Sequence, residues 1–152
     1  AVTHLDGTLV TPTHSAQIGE TLSLYLTGLG TVNPLVPDGS AGPVSPLSNV
    51  TNTIGVDVQG IAATVGYAGL APQLAGLYQI NFTVPTGVKT GDNFIDISGP
   101  DSYNAQALIS VGAGPSLNSS EVAALRHRLR TTPAGLLTPS VKLPAEPLLN
   151  RR

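Results

Sequence analysis

The clearest alternation of apolar and polar residues lies between Gly66 and Pro85. Apolar side chains occupy every second position of its second half, namely Tyr78, Ile80, Phe82 and Val84. This period of two predicts a half-buried β-strand. Pro85 ends the strand, because proline cannot continue a β ladder. We therefore predict that this strand is the centre of a small β core.

Shorter alternations predict further strands on both sides of it. They lie at residues 3–11, 21–27, 54–58, 61–67, 93–98 and 106–111. The first is a short strand or hairpin around Asp6-Gly7, a favourable turn pair, and the third and fourth form a hairpin through Gln59-Gly60. Residues 31–49 contain four prolines and predict a long loop without regular structure. About seven short strands with turns between them indicate an all-β, immunoglobulin-like sandwich, and a β-barrel of the same strand count is the competing architecture.

The pattern changes at Gly114-Pro115. We divide the chain there into a β domain, residues 1–114, and a C-terminal extension, residues 115–152. The spacing of a capping box and one apolar face predict a helix at about residues 119–130. Basic residues lie at its C-terminal end, where the helix dipole favours cations.

The last part of the extension, residues 131–152, is apolar, basic and rich in proline. Its four prolines exclude a helix and a central strand, so the segment is extended. It is far too apolar for a solvated linker, and we expect it to dock on a neighbouring subunit; the alternative is that it wraps around its own domain. The expected subunit-interface residues are Leu125, Arg126, Leu129, Arg130, Leu136, Leu137, Val141, Leu143, Leu148 and Leu149.

Composition and charge support this division. Glycine (17) and proline (13) are abundant in the 152 residues, and aromatic residues make up only 4%, which favours β structure punctuated by turns. The chain has no cysteine, which excludes disulfides and thiolate zinc sites. Residues 1–114 carry seven acidic residues against one lysine, a net charge of −6, whereas residues 115–152 carry six basic residues against two acidic ones, a net charge of +4. The body is therefore acidic and the extension basic.

Four motifs occur in order: ETLSLYLTGLG (residues 20–30), YAGLAP (67–72), GLYQIN (76–81) and PDSYN (100–104). Together they resemble an uncharacterised domain that forms the C-terminal module of large secreted proteins in acidobacteria and their relatives. The resemblance covers about residues 1–113 and implies an immunoglobulin or IPT-type sandwich, export, and a structural or interaction role. It implies no catalytic residue, cofactor or ligand. This chain departs from the family by continuing past the usual end of the domain.

Catalytic and metal-binding patterns are weak. Ser102 follows a tight turn, but it does not lie in a nucleophile-elbow motif such as G-x-S-x-G, and the sequence places none of the three histidines beside it, so a small hydrolase is only a distant third hypothesis. His4 and Asp6 form the one His-carboxylate pair at ligand spacing, and a single pair is not a metal site. Three aspartates, Asp92, Asp96 and Asp101, lack the spacing of a calcium loop and are better explained as a solvated acidic rim.

We therefore expect a non-enzymatic extracellular or cell-surface structural module, without a cofactor, that forms a filament or surface complex with copies of itself or another subunit. The alternative is a carbohydrate-binding or adhesion module that binds glycans through its outward sheet face or the 31–49 loop. Nucleic acid is not an expected partner because the acidic body opposes it, and no apolar run is long enough to cross a bilayer. Because the chain begins at Ala1, we expect either a removed leader or a longer parent polypeptide.

Overall fold

The computed structural model describes residues 1–100 and 102–112, which form ten β-strands and no helix. The strands are β1 (Val2–His4), β2 (Thr21–Leu26), β3 (Val32–Asn33), β4 (Asn49–Val50), β5 (Gly55–Val58), β6 (Ile61–Ala62), β7 (Thr64–Leu70), β8 (Tyr78–Thr83), β9 (Gly91–Gly99) and β10 (Ser102–Val111). The prediction of an all-β domain is confirmed. The helix predicted at about residues 119–130 and the tail at 131–152 lie outside the described residues.

The strands form two antiparallel sheets. The first has six strands in the order β1-β2-β8-β7-β4-β3, and the second has four in the order β10-β9-β5-β6. In the six-stranded sheet β8 pairs with β2 on one side and with β7 on the other. The strand predicted as the centre of the core is therefore central in its sheet.

The two sheets share one hydrophobic core, because each strand turns every second side chain inward. Within β8 and just after it, Ile80, Phe82 and Val84 are buried as the alternation predicts, and Tyr78 is half-buried. The core contains residues of both sheets, namely Val2, Ala16, Leu22, Leu24, Val56, Val58, Ile80, Phe82, Val84, Val88, Ile95, Ile97, Ile109 and Val111. The strands predicted at residues 21–27, 93–98 and 106–111 are confirmed with their apolar sides inward.

The N-terminal hairpin forms around Asp6-Gly7 as predicted. The backbone N–H of His4 donates to Thr8 O (2.9 Å) and that of Gly7 donates to His4 O (3.0 Å). Gly7 has a φ of +86°, a conformation that glycine adopts without steric cost. This hairpin adds β1 to the edge of the six-stranded sheet beside β2.

Two predictions about strands were wrong. Residues 31–49 are not wholly irregular, because β3 lies inside this stretch and β4 begins at its end, and the two pair with each other. The strand predicted at residues 61–67 is divided: β6 pairs with β5, whereas β7 crosses to the other sheet and pairs with β8. These differences account for ten strands where the sequence predicts about seven.

The 31–49 loop is held against β7 by hydrogen bonds to the Ser48 carbonyl, which accepts from the Leu70 backbone N–H (2.9 Å). The Tyr67 hydroxyl donates to Leu70 O (2.7 Å) and lies 3.5 Å from Ser48 O. Gly69 permits this arrangement, because a Cβ at that position would overlap both Ser48 O and the Tyr67 hydroxyl. The loop therefore has a defined position on the six-stranded sheet.

Substitutions of the chain's two phenylalanines test which side of each sheet faces the core. Phe82 is fully buried, whereas the side chain of Phe94 is 58% exposed on the outer side of the four-stranded sheet. We expect Phe82→Ala to lower the free energy of unfolding by about 3–5 kcal/mol through lost burial and a cavity. Phe94→Ala is the matched control and should change it by less than about 0.5 kcal/mol. Urea unfolding followed by circular dichroism measures both, and equal losses in the two variants would contradict the described core.

Candidate functional site

Two histidines and one glutamate meet beside the N-terminal hairpin. His4 Nδ1 lies 2.6 Å from Glu20 Oε1, and His4 Nε2 lies 3.3 Å from the backbone oxygen of His14. The two imidazole rings stack with their centroids 4.1 Å apart. Glu20 also accepts a hydrogen bond from the Gln17 backbone N–H (2.8 Å). The cluster therefore joins β1, the following loop and the start of β2.

The electrostatics of this cluster favour protonated His4. The hydrogen bond with Glu20 raises the pKa of His4 above its ordinary value, and the His14 carbonyl adds to the rise, while burial acts in the opposite direction. His4 itself is buried, and its two ring nitrogens both lie within hydrogen-bond distance of oxygens. This geometry describes a structural ion pair, because a general base needs a ring nitrogen that can reach a substrate.

Sequence reasoning identified His4 and Asp6 but missed Glu20. Asp6 lies in the hairpin turn, where its carboxylate accepts from the Thr8 backbone N–H (2.9 Å) and hydroxyl (2.6 Å). These bonds from Thr8 lower the pKa of Asp6. Glu20 is 16 residues from His4 in sequence, so no local spacing could have indicated their contact.

The pH dependence of stability tests the His4–Glu20 pair. The pKa of His4 is raised in the folded state, so the protonated ring stabilises the fold. This contribution to the free energy of unfolding is fully present below about pH 6.5, the pKa of an unfolded histidine. It is lost as the pH rises through the higher pKa of the folded state. We expect Glu20→Gln, which keeps the size of the side chain, to cost about 1–2 kcal/mol at about pH 5.5 and less at about pH 8. The measurement is urea unfolding at several pH values. A pH profile unchanged by the substitution would contradict the pair.

The outer side of the six-stranded sheet is polar, and its side chains bond to each other. Ser23 donates to Asn81 Oδ1 (3.1 Å), Gln79 donates to the same oxygen (2.8 Å), and the hydroxyls of Thr21 and Thr83 lie 3.2 Å apart. Gln79 and Asn81 lie on the outward sheet face to which the alternative hypothesis assigns glycan binding, and both are already engaged in hydrogen bonds with neighbouring side chains.

The outer side of the four-stranded sheet has a different chemistry. Phe94 on β9 and Leu108 on β10 are directly opposite each other, and their side chains are 58% and 56% exposed. Asp57 on β5, and Asp92 and Asp96 on β9, lie on the same side. We call this surface the Phe94 face and define it by these five residues.

The three carboxylates of the Phe94 face have no basic partner within residues 1–100 and 102–112. Asp57 is directly opposite Asp96 on the neighbouring strand, and like charges in this arrangement are destabilising. Asp96 accepts from Gln106 Nε2 (2.6 Å) and Asp92 accepts from the Ser110 hydroxyl. In the part of the chain that is described, the one recorded ion pair is that of His4 and Glu20. The face thus combines exposed apolar groups with negative charges that no described residue neutralises.

Beside this face lies the edge of β10, and we call its middle part open because no described residue pairs with it. At its C-terminal end, Ala16 occupies the edge: its N–H donates to Ser110 O (2.9 Å) and its carbonyl accepts from the Gly112 N–H (2.8 Å). Backbone groups alternate between the two sides of a strand, so those of Gln106 and Leu108 face the same side as those of Ser110. They have no backbone partner there among residues 1–100 and 102–112.

A groove of about 390 Å³ lies along the 31–49 loop. Leu35, Asp38 and Tyr78 are among its lining residues. The Tyr78 hydroxyl donates to the Gly30 carbonyl, which fixes the ring at one end of the groove. Its volume is within the range of small-molecule sites.

Most residues predicted to form the site lie outside the described part. These are the ten subunit-interface positions Leu125, Arg126, Leu129, Arg130, Leu136, Leu137, Val141, Leu143, Leu148 and Leu149. Asp101 also lies outside it, as does the side chain of Ser102. No group of three or more His, Cys, Asp or Glu side chains comes together at metal-binding distance within the described residues.

Phe94 and Leu108 were missed, although each follows from a pattern in the sequence. Because Ile95 and Ile97 point inward on β9, and Ile109 points inward on β10, the residues between them must point outward. What the pattern cannot supply is the register that places Phe94 opposite Leu108.

The described part of the chain contains no helix with the length and hydropathy that a membrane crossing requires. Comparisons of the chain with protein-family models, with curated proteins and with solved structures found no match.

Proposed function

We propose that this protein is a non-enzymatic structural module that assembles with other copies of itself into a filament or surface complex. Residues 115–152 of one subunit dock on the β domain of the next. The observation that carries the proposal is the open edge of β10, together with the basic, apolar extension that follows this strand in the chain.

The edges of the two sheets differ in length and cover. β3 and β6 are edge strands of two residues each, and β1 is an edge strand of three residues that the N-terminal hairpin covers. β10 is an edge strand of ten residues. Proteins normally shorten or cover sheet edges, because unpaired N–H and C=O groups pair readily with another chain. A long open edge therefore supports β-strand addition by a partner.

Charge supports the same pairing. Residues 115–152 carry a net charge of +4 and the body a net charge of −6, so the extension of one subunit is attracted to the body of another. Its leucines and prolines suit an edge strand or an apolar groove better than solvent.

The proposal includes a finer fold and a location. Two antiparallel sheets around one core support an immunoglobulin-like sandwich for residues 1–114. The four motifs that resemble a secreted acidobacterial domain support an extracellular or cell-surface location and a structural role.

Removal of the extension tests the proposal. We expect the full-length chain to form oligomers whose size grows with concentration, and a chain ending at Gly112 to stay a folded monomer. Size-exclusion chromatography with light scattering and negative-stain electron microscopy measure assembly, and far-ultraviolet circular dichroism checks the β fold. A full-length chain that is monomeric at every concentration, or a shortened chain that assembles equally well, would refute the proposal.

A carbohydrate-binding module is the second candidate, and the groove beside the 31–49 loop favours it. Tyr78 supplies an aromatic ring and Asp38 a hydrogen-bond acceptor at a concave surface of suitable size. If this candidate is correct, the full-length chain binds a glycan on an array. Asp38→Asn then weakens binding at least about tenfold, which corresponds to a loss of about 1.4 kcal/mol. Asp96→Asn on the Phe94 face is the matched control and leaves binding unchanged. Absence of any array signal would exclude this candidate.

A further inference from the structure

We propose that the acceptor for residues 115–152 is the Phe94 face and the adjoining open edge of β10 on a second copy of this chain. This inference rests on the proposed function and adds the surface that receives the extension. Three observations carry it: the exposed apolar pair, the unneutralised carboxylates and the position of Ala16.

The apolar pair supplies the contact area. Phe94 and Leu108 project from neighbouring strands directly opposite each other, and more than half of each side chain is exposed. Aromatic residues, phenylalanine included, are enriched in protein interfaces relative to the rest of the surface. The extension contributes complementary aliphatic side chains, which are Leu136, Leu137, Val141, Leu143, Leu148 and Leu149.

The carboxylates select a basic partner. Asp57 and Asp96 stand opposite each other, so a cation placed between them relieves their repulsion and gains two attractions. Asp92 adds a third negative charge on the same strand as Asp96. All the arginines of the chain lie in residues 115–152, so a second copy brings the required charge together with the required apolar groups. A neutral or acidic peptide would bring no cation to the carboxylates of the Phe94 face.

The position of Ala16 excludes a tight hairpin directly after β10 as the way in which the extension pairs with this edge. A chain that folds back directly after β10 makes its first pairs beside Ser110 and Gly112, but Ala16 already occupies those backbone groups. The open part of the edge lies farther along, at Gln106 and Leu108. An incoming strand from another subunit reaches it without displacing Ala16.

Such a contact is heterologous, because the donor and acceptor surfaces differ. Each subunit offers one extension and one acceptor, so the contact propagates into a filament unless it closes into a ring.

The first test uses three full-length variants. The face variant is Phe94→Ser with Leu108→Ser, and the charge variant is Asp57→Asn with Asp96→Asn. Both should weaken assembly at least about tenfold, as expected when contacts worth more than about 1.4 kcal/mol are lost. The control is Leu35→Ser with Asp38→Asn, which makes the same chemical changes at exposed positions of the 31–49 loop and should assemble normally.

The charge variant also separates docking from folding. Asparagine has the size of aspartate, and removing two opposed charges should leave the free energy of unfolding unchanged or raise it. Assembly of the wild-type chain should weaken as salt increases, since salt screens exposed charges. The charge variant should show a smaller salt dependence.

The second test mixes two variants that cannot assemble alone. The face variant keeps its extension, and a tail variant, with Leu136, Leu137, Leu148 and Leu149 changed to serine, keeps its acceptor. We expect each to be monomeric and their mixture to form a heterodimer that grows no further, because one extension and one acceptor remain. Light scattering and native mass spectrometry measure the product.

The outcomes separate this inference from the proposed function. If the tail variant is monomeric but the face and charge variants assemble like the wild type, the acceptor is wrong and the proposed function stands. If the tail variant assembles normally, both are wrong. If the mixture stays monomeric, the extension does not bridge two copies through this face, and the inference is overturned.

Discussion

Burial of two β-sheets against each other is the constraint on which the rest of this structure depends. Phe82 and Ile80 of the six-stranded sheet share one core with Ile95 and Val58 of the four-stranded sheet, and none of these side chains is exposed. Because a strand turns alternate residues to opposite sides, this burial leaves each sheet with one outer side. This burial does not constrain the side chains on the two outer sides, and in this protein those side chains differ.

The outer side of the six-stranded sheet is satisfied in part by its own side chains, while the Thr3 hydroxyl on that side is buried without a hydrogen-bond partner among the described residues. Asn81 accepts from both Ser23 and Gln79, so these polar groups need no ligand. The side chains of the Phe94 face do not satisfy one another in this way. Its apolar pair is exposed, and its facing carboxylates have no basic partner among the described residues. This contrast between the two sides, more than any single residue, is why we propose an interaction surface on the smaller sheet.

Much of this fold follows from local pattern, and the exceptions have a common physical cause. The alternations at Leu22 and Leu24, and at Ile95 and Ile97, predict buried strand sides because local periodicity records which side faces the core. β3 and β4 are too short to carry a period, and they exist because they pair with each other and β4 meets β7. The division of residues 61–70 between two sheets likewise depends on partners far away in sequence.

The candidate site was less predictable than the fold for the same reason. The interface residues of the extension were predicted from composition alone, because the segment is more apolar than an ordinary solvated linker. The acceptor required the register, which brings Asp57 opposite Asp96 across 39 positions of sequence and Phe94 opposite Leu108. Such contacts are properties of the folded sheet and leave no local signal.

In the assembly we propose, the Asp57–Asp96 pair would link assembly to the stability of the domain. Opposed carboxylates reduce the stability of the isolated body, and a bound basic segment removes that penalty only in the folded state, where the two residues face each other. A partner that binds the folded state alone raises its apparent stability in proportion to the logarithm of partner concentration. In the proposed assembly, docking of a neighbouring extension would therefore stabilise the sheet that receives it, and each added subunit would stabilise the fold of the one before.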